Sequence, residues 1–368
     1  MKNKNMNRIF RVPLIPGIVE LKSNIDYIYG FPLGMHLFPI ESSFKGEIIA
    51  EFYVENEFKR PADTKHIFGP YFISENGKNV YMERKLVETK LLGDSLKIRG
   101  LAHITDNGLK FIVNNLYIKL IRFQLGDWFP PAFHFFDLIQ SKLLLNGKSI
   151  LHSACISSAE DSILILAKPD TGKTSTVFEL TLTKGWYLLS EDLTVVDNNG
   201  FAYSCPYTST YFNNKVITHK ILKKGWLSSR DRMRIMLNKL LPPIPLLSSF
   251  GCRSPSPSMV LQKIPRRQYT KIKKIVFLER NHYNSIERVD NEVAFKKLIF
   301  LNRAELRYYR DPMIVALSYY NEEYNIEKLL SIESRILSSL IDNVQSCYVI
   351  RANSPLEFVK FIETLQER

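Results

Sequence analysis

No stretch of this sequence approaches the roughly 18 consecutive apolar residues of a membrane-spanning helix. The longest candidate, residues 240–250, is interrupted by Pro242, Pro243 and Pro245, which argues against a membrane partner. Cysteine is scarce: Cys155, Cys205, Cys252 and Cys347 form no CxxC pair and have no histidine at ligand spacing, so neither a zinc site nor a disulfide framework is indicated. The 7 histidines make no HExxH pattern and no tract. The opening residues, MKNKNMNRIFRVPLIPG, are basic but lack the apolar core and small-residue cleavage site of a signal peptide. A cytoplasmic protein is expected. No internal repeat or coiled-coil heptad is evident.

The composition is that of an ordinary soluble globular protein, 45% hydrophobic and 24% charged over 368 residues, long enough for two domains. The net charge of +13 is not spread evenly. Residues 211–280 hold 16 Lys and Arg against Asp231 and Glu279 alone, so this one segment outweighs the charge of the whole chain. Such a segment could line a phosphate-rich cleft, receive an acidic peptide or contact nucleic acid. Few aromatics stand in a stacking arrangement there, which counts against nucleic acid.

Up to about residue 129 the sequence alternates short apolar runs with turn signals. Examples are residues 46–53, 78–84 after Asn76-Gly77, 96–104, and 110–113 after Asn107-Gly108. This predicts an antiparallel, β-rich first domain over residues 1–130, with His36, His66 and His103 as surface or satisfied structural residues. Asp127 to Pro131 (DWFPP) marks a boundary. A helical stripe then covers residues 132–146, followed by short strands at 149–156 and 162–166. After a helix at 175–183 come a strand at 186–189 and a hairpin at 193–204 turning on Asp197-Asn198-Asn199-Gly200. Within the basic segment a helix is expected near 230–240 and a mobile Pro/Ser-rich stretch at 254–258. The strand 274–278 follows, then helices over 291–302 and 312–341 and a strand at 347–350. Ser354-Pro355-Leu356-Glu357 is a capping box that starts the last helix.

One motif carries chemistry. Ala167 to Thr174 reads AKPDTGKT, nearly a phosphate-binding loop, and it stands between an apolar strand (SILIL) and a helical pattern (STVFELTLT). Helix N-terminal N–H groups have no partner within the helix and carry partial positive charge, so Pro169, Asp170, Thr171, Gly172, Lys173, Thr174 and Ser175 are the nucleotide-binding candidates. Lys173 would reach the β- and γ-phosphates, and Thr174 would hold Mg²⁺. Two residues depart from the pattern. Ala167 replaces the first glycine, which requires that this position avoid positive φ, and Asp170 places a carboxylate in the loop, which must point away from a phosphate.

Leu151-His152-Ser153-Ala154, the loop, and Leu189-Ser190-Glu191-Asp192 follow one another in an order that resembles the C-terminal domain of HPr kinase/phosphorylase and its HPr-kinase-like relatives. The resemblance covers residues 131–368. It implies an α/β, PEP-carboxykinase-like P-loop kinase domain with a basic insert near 211–280, behind the β-rich domain. It further implies that Glu191 is the base toward an acceptor hydroxyl, Asp192 a metal- or histidine-linked partner, and His152 their neighbour. Glu191 stands where the family has aspartate, which lengthens the base by a methylene. Arg253, Arg266 and Arg267 are phosphate candidates by location only.

The expected activity is an ATP-dependent, Mg²⁺-requiring kinase acting on a hydroxyl of a peptide, protein or small molecule, acidic if the basic segment recognises it. The alternatives are a catalytically weak nucleotide-binding regulatory or scaffold protein, and a nucleic-acid binder working through the basic segment. Homo-oligomerisation stays open. Adjacent carboxylates on a regular strand face opposite ways, so Glu191 and Asp192 serve one site only where the strand bulges or ends.

Overall fold

The computed structural model describes residues 9–25, 46–55, 57–85, 97–122, 134–205, 220, 223–226, 229 and 263–366. It is a mixed α/β protein with two compact units. The described residues up to Asn146 join Arg307–Ile332 in the first; those of 147–306 and from Glu333 onward make the second. The expected division at residue 130 differs from this, and the reason is packing. Helix α2 (His134–Leu145) buries Phe135, Leu138, Ile139 and Leu143 within the first unit, and Arg307–Ile332 return to it.

The first unit is built on an eight-stranded sheet. Its strands are β1 (Phe10–Ile15), β2 (Val19–Ser23), β3 (Ile48–Val54), β4 (Thr64–Phe68), β5 (Tyr71–Ser74), β6 (Asn79–Lys85), β7 (Lys97–Thr105) and β8 (Gly108–Val113), in the order β1-β2-β3-β8-β7-β6-β5-β4. The expected alternation is clear in β3 and β7, whose residues switch regularly between buried and half-buried. The sheet is not wholly antiparallel, however: β2 pairs parallel to β3, and β3 parallel to β8. Long connections permit this, because only a two-residue turn forces the antiparallel sense, while a parallel partner needs a crossover. On the sheet lie α1 (Asn115–Arg122), α2 and α5 (Pro312–Tyr320). Phe52, Phe111 and Phe135 meet in an aromatic cluster, with Phe52 and Phe135 edge to face at 5.1 Å.

The second unit holds a six-stranded and a four-stranded sheet. The six-stranded sheet contains β10 (Ala154–Ser157), β11 (Ser162–Ala167), β12 (Tyr187–Ser190), β16 (Lys274–Arg280), β17 (Ser285–Val289) and β18 (Ser346–Ala352), ordered β12-β10-β11-β16-β18-β17. Its centre, β11-β16-β18, is parallel. All six residues of β11 are buried, and since successive side chains point to opposite faces, both faces there are covered. Helices α3 (Lys173–Thr183) and α7 (Pro355–Gln366) pack on one another, and α4 (Asn291–Glu305) contacts β9 (Lys148–His152), β11 and β18. The four-stranded antiparallel sheet is β15 (Tyr269–Lys271), β14 (Phe201–Ser204), β13 (Leu193–Asp197) and β9 (Lys148–His152). The long helix α6 (Ile326–Asn343) contributes its residues from Glu333 onward.

Most local readings hold. The hairpin forms as β13–β14, with Asn199 and Phe201 donating to the Asp197 carboxylate in its turn. The capping box starts α7, with the Glu357 carboxylate accepting from the backbone N–H groups of Asn353 and Ser354. The helix near 230–240, the Pro/Ser stretch at 254–258, the DWFPP boundary, His36, Cys252 and Arg253 lie outside the described residues. Among those described, no helix is long and apolar enough to cross a membrane.

Candidate functional site

The sequence order strand, loop, helix is realised without interruption. Strand β11 ends at Ala167, which is buried and is not among the residues of positive φ, so its Cβ is tolerated. Lys168, Pro169 and Asp170 are exposed; Thr171 turns inward, its N–H donating to the Lys168 carbonyl at 3.3 Å. Asp170 has φ 60, a conformation that Asp tolerates better than most residues because its short side chain can bond locally. Its side chain is in solvent, and its carbonyl accepts from Arg280 Nη1 at 3.4 Å.

Gly172 then enters α3 with φ 113. A side chain there is excluded twice, by that φ and by Pro355, whose Cγ would lie 2.9 Å from a Cβ. No side chain caps α3, and its first turn contains no acid. The turn thus keeps the N-terminal partial charge that favours an anion. Thr174 and Ser175 are half-buried in this turn, while Lys173 is buried.

The buried ammonium of Lys173 has a specific destination. It donates to Asp192 Oδ1 at 3.2 Å and to the Asp192 carbonyl at 3.5 Å, and approaches His152 Nε2 to 3.3 Å. His152 Nε2 is in turn 3.1 Å from Asp192 Oδ1, closing a triangle of three side chains separated by 19 to 40 residues in sequence. Burial would raise the Asp192 carboxyl, but the hydrogen bond from His152 and the Lys173 charge outweigh it and hold the group well below the usual carboxylate range. Asp192 is therefore ionised at neutral pH.

Two strand crossings create the triangle. The chain leaves the four-stranded sheet after His152 and enters the six-stranded sheet at Ala154, and it makes the reverse crossing at Glu191 and Asp192, between Ser190 of β12 and Leu193 of β13. The pairings His152↔Leu193 and Cys155↔Ser190 bring the crossings side by side. Glu191 and Asp192 accordingly stand in a bend and not on the strand expected for them. The bend frees them from strict alternation: Asp192 joins Lys173, while Glu191 is buried beside it in sequence at 2% exposure.

Asn302 was not legible as part of this site. From α4, 150 residues downstream, its Oδ1 accepts the His152 N–H at 3.0 Å, and its Nδ2 donates to Glu333 Oε1 at 2.9 Å. Arg303 Nε donates to the other Glu333 oxygen at 2.8 Å. This buried group fixes the end of β9. Of the arginine candidates, Arg266 bridges to Leu188 and Arg267 stacks over Tyr187 at 4.8 Å, so both lie toward the start of β12, away from Glu191. Burial pushes the Cys155 thiol up, which removes it as a nucleophile.

No protein-family model matches this chain, and no curated protein matches it in sequence. Function is therefore argued from the site. Among the described residues no group of three or more His, Cys, Asp or Glu could hold a metal by itself. A cation here would need ligands beyond the protein, which is how Mg²⁺ is commonly held, by one carboxylate or two and by substrate phosphates.

Proposed function

We propose that the second unit is an HPr-kinase-like P-loop domain that transfers the γ-phosphate of ATP to a hydroxyl of a peptide, protein or small molecule. The observation that carries this reading is the meeting of Lys173, Asp192 and His152 beside an uncapped helix N-terminus. Phosphoryl transfer requires positioned positive charge, a metal-binding oxygen set and a carboxylate near the nucleophile, with little covalent work for the protein. The donor set fits Mg²⁺: the Thr174 hydroxyl in the first helical turn and the ionised Asp192 carboxylate are hard oxygen ligands. When bound, Mg²⁺ would neutralise charge on the transferred group.

The residues divide the remaining work. The N–H groups at the start of α3 and the Lys173 ammonium bind the phosphates, with Pro169, Asp170 and Thr171 supplying the loop backbone around them. Glu191 takes the proton of the acceptor hydroxyl as its oxygen bonds to the γ-phosphorus and the bond to the bridging oxygen breaks, releasing ADP. His152 holds Asp192 by its Nε2 hydrogen bond, and Asn302 holds His152. The charge of the basic segment suits an acidic acceptor.

The test is thermal unfolding with and without Mg-ATP. At 100 times Kd, binding adds about 2.7 kcal/mol. The wild type should show that shift and Lys173→Ala should not, while Glu191→Gln should retain binding and lose transfer of labelled γ-phosphate to any acceptor. Absence of a wild-type shift would favour a regulatory scaffold instead.

A further inference from the structure

Helix α4 turns Ala294, Leu298 and Asn302 inward, all three at 0% exposure. Phe300 lies midway between the last two, about 200° around the helix from each at about 100° per residue, and so faces outward. It is 60% exposed, a large apolar ring on a face that also carries Glu292, Val293 and Lys296. A single exposed ring needs no explanation by itself. This one has a particular neighbour: the ammonium of Lys168, the second residue of the AKPDTGKT loop, sits 5.8 Å from the ring centroid. A lysine stem spans about 6 Å, so the ring lies within about 12 Å of the loop backbone, on the scale of a nucleotide measured from its phosphates to its base.

Resting on the phosphate-loop reading above, we infer that Phe300 is the stacking platform for the base of the bound nucleoside triphosphate, with Lys168 as the adjoining wall. The chemistry suits this. A base offers a flat π-face that stacks on an aromatic ring without needing edge hydrogen bonds, and the Lys168 ammonium over the Phe300 ring adds positive charge toward the base and the nearest phosphate. Lys168 is attached to the loop itself, so the base platform and the phosphate cradle are joined through one side chain. The nucleoside contributes binding through Phe300, and the triphosphate through Lys173 and the α3 N-terminus.

Calorimetric titration of Mg-ATP and of magnesium tripolyphosphate into the full chain separates the two contributions. The wild type should bind both, and Phe300→Ala should weaken Mg-ATP about tenfold or more while leaving tripolyphosphate within about twofold. Phe300→Trp should restore Mg-ATP affinity and give an indole fluorescence change on adding Mg-ATP that tripolyphosphate does not cause. Equal effects on the two ligands, or none on either, overturn the platform and leave the phosphate loop standing. A wild type that binds neither ligand overturns both. The side chain is exposed, so the variants test binding and not folding.

Discussion

Two histidine–aspartate pairs, one in each unit, share their chemistry and differ in everything around them. In the first unit His134 is fully buried, with Nδ1 bonded to Asp311 and Nε2 3.3 Å from the Tyr71 hydroxyl. Asp311 also caps α5, accepting from the N–H groups of Met313 and Ile314. Both ring nitrogens and both carboxylate oxygens are engaged. In the second unit His152 and Asp192 retain 14% and 13% side-chain exposure, share Lys173, and leave His152 Nδ1 without a partner among the described residues. A polar network that is complete fixes a structure. One that is partly open and holds a cation can exchange partners with a ligand, and the difference cannot be seen in the residue types.

The comparison breaks most directly by removing one member of each pair. Asp311→Ala leaves a buried histidine unpartnered and α5 uncapped, and should cost about 3–5 kcal/mol in denaturant unfolding. His152→Ala, at a half-open site, should cost about 1 kcal/mol. Equal losses would mean that the two pairs do the same structural job.

Acid and base titration should separate them by sign. Asp192 titrates lower in the folded state than in the unfolded chain, so it contributes stability at and above the ordinary value near 4, and this contribution is lost as pH falls below it. Asp137 behaves oppositely. Burial, then the neighbouring Asp311 carboxylate to which it is hydrogen-bonded, raise its carboxyl well above the usual range. The stability tied to its retained proton is therefore full at low pH and declines as pH rises from about 4 toward the raised value. Unfolding midpoints against pH should show Asp192→Asn flattening the acid limb and Asp137→Asn flattening the decline above it.

The smallest effect sharpens the site itself. Asp170→Gly relieves a side chain at φ 60 and should stabilise the protein by about 0.5–1 kcal/mol. Mg-ATP binding should be unchanged, since the carboxylate already points to solvent. A drop in affinity would show that the Asp170 side chain takes part.

What could be read in the sequence follows how local each signal is. SILIL, AKPDTGKT and the helix after them are contiguous, and strand periodicity, loop glycine and capping residues each act over a few positions. The same holds for the strand at Lys274 and the helix at Pro355. The parallel neighbours β2, β3 and β8 were not legible, because alternation fixes a strand and not its direction. Nor was Asn302, an unremarkable helical asparagine until α4 is laid against the end of β9. The bend at Glu191 and Asp192 depends on two strand crossings made 40 residues apart, and His134 gained its role only from a partner 177 residues later.

That last separation bears on how the protein is made. Arg307–Ile332 belongs to the first unit, so the opening sheet cannot close its core when it leaves the ribosome. At about 5–20 residues per second, His134 waits roughly 10–35 s for Asp311. The whole of the second unit's Gly147–Leu306 segment is synthesised in that interval. The β-rich unit is first in sequence and finishes late, and for that period its apolar strands are the part of the nascent chain most in need of protection from aggregation.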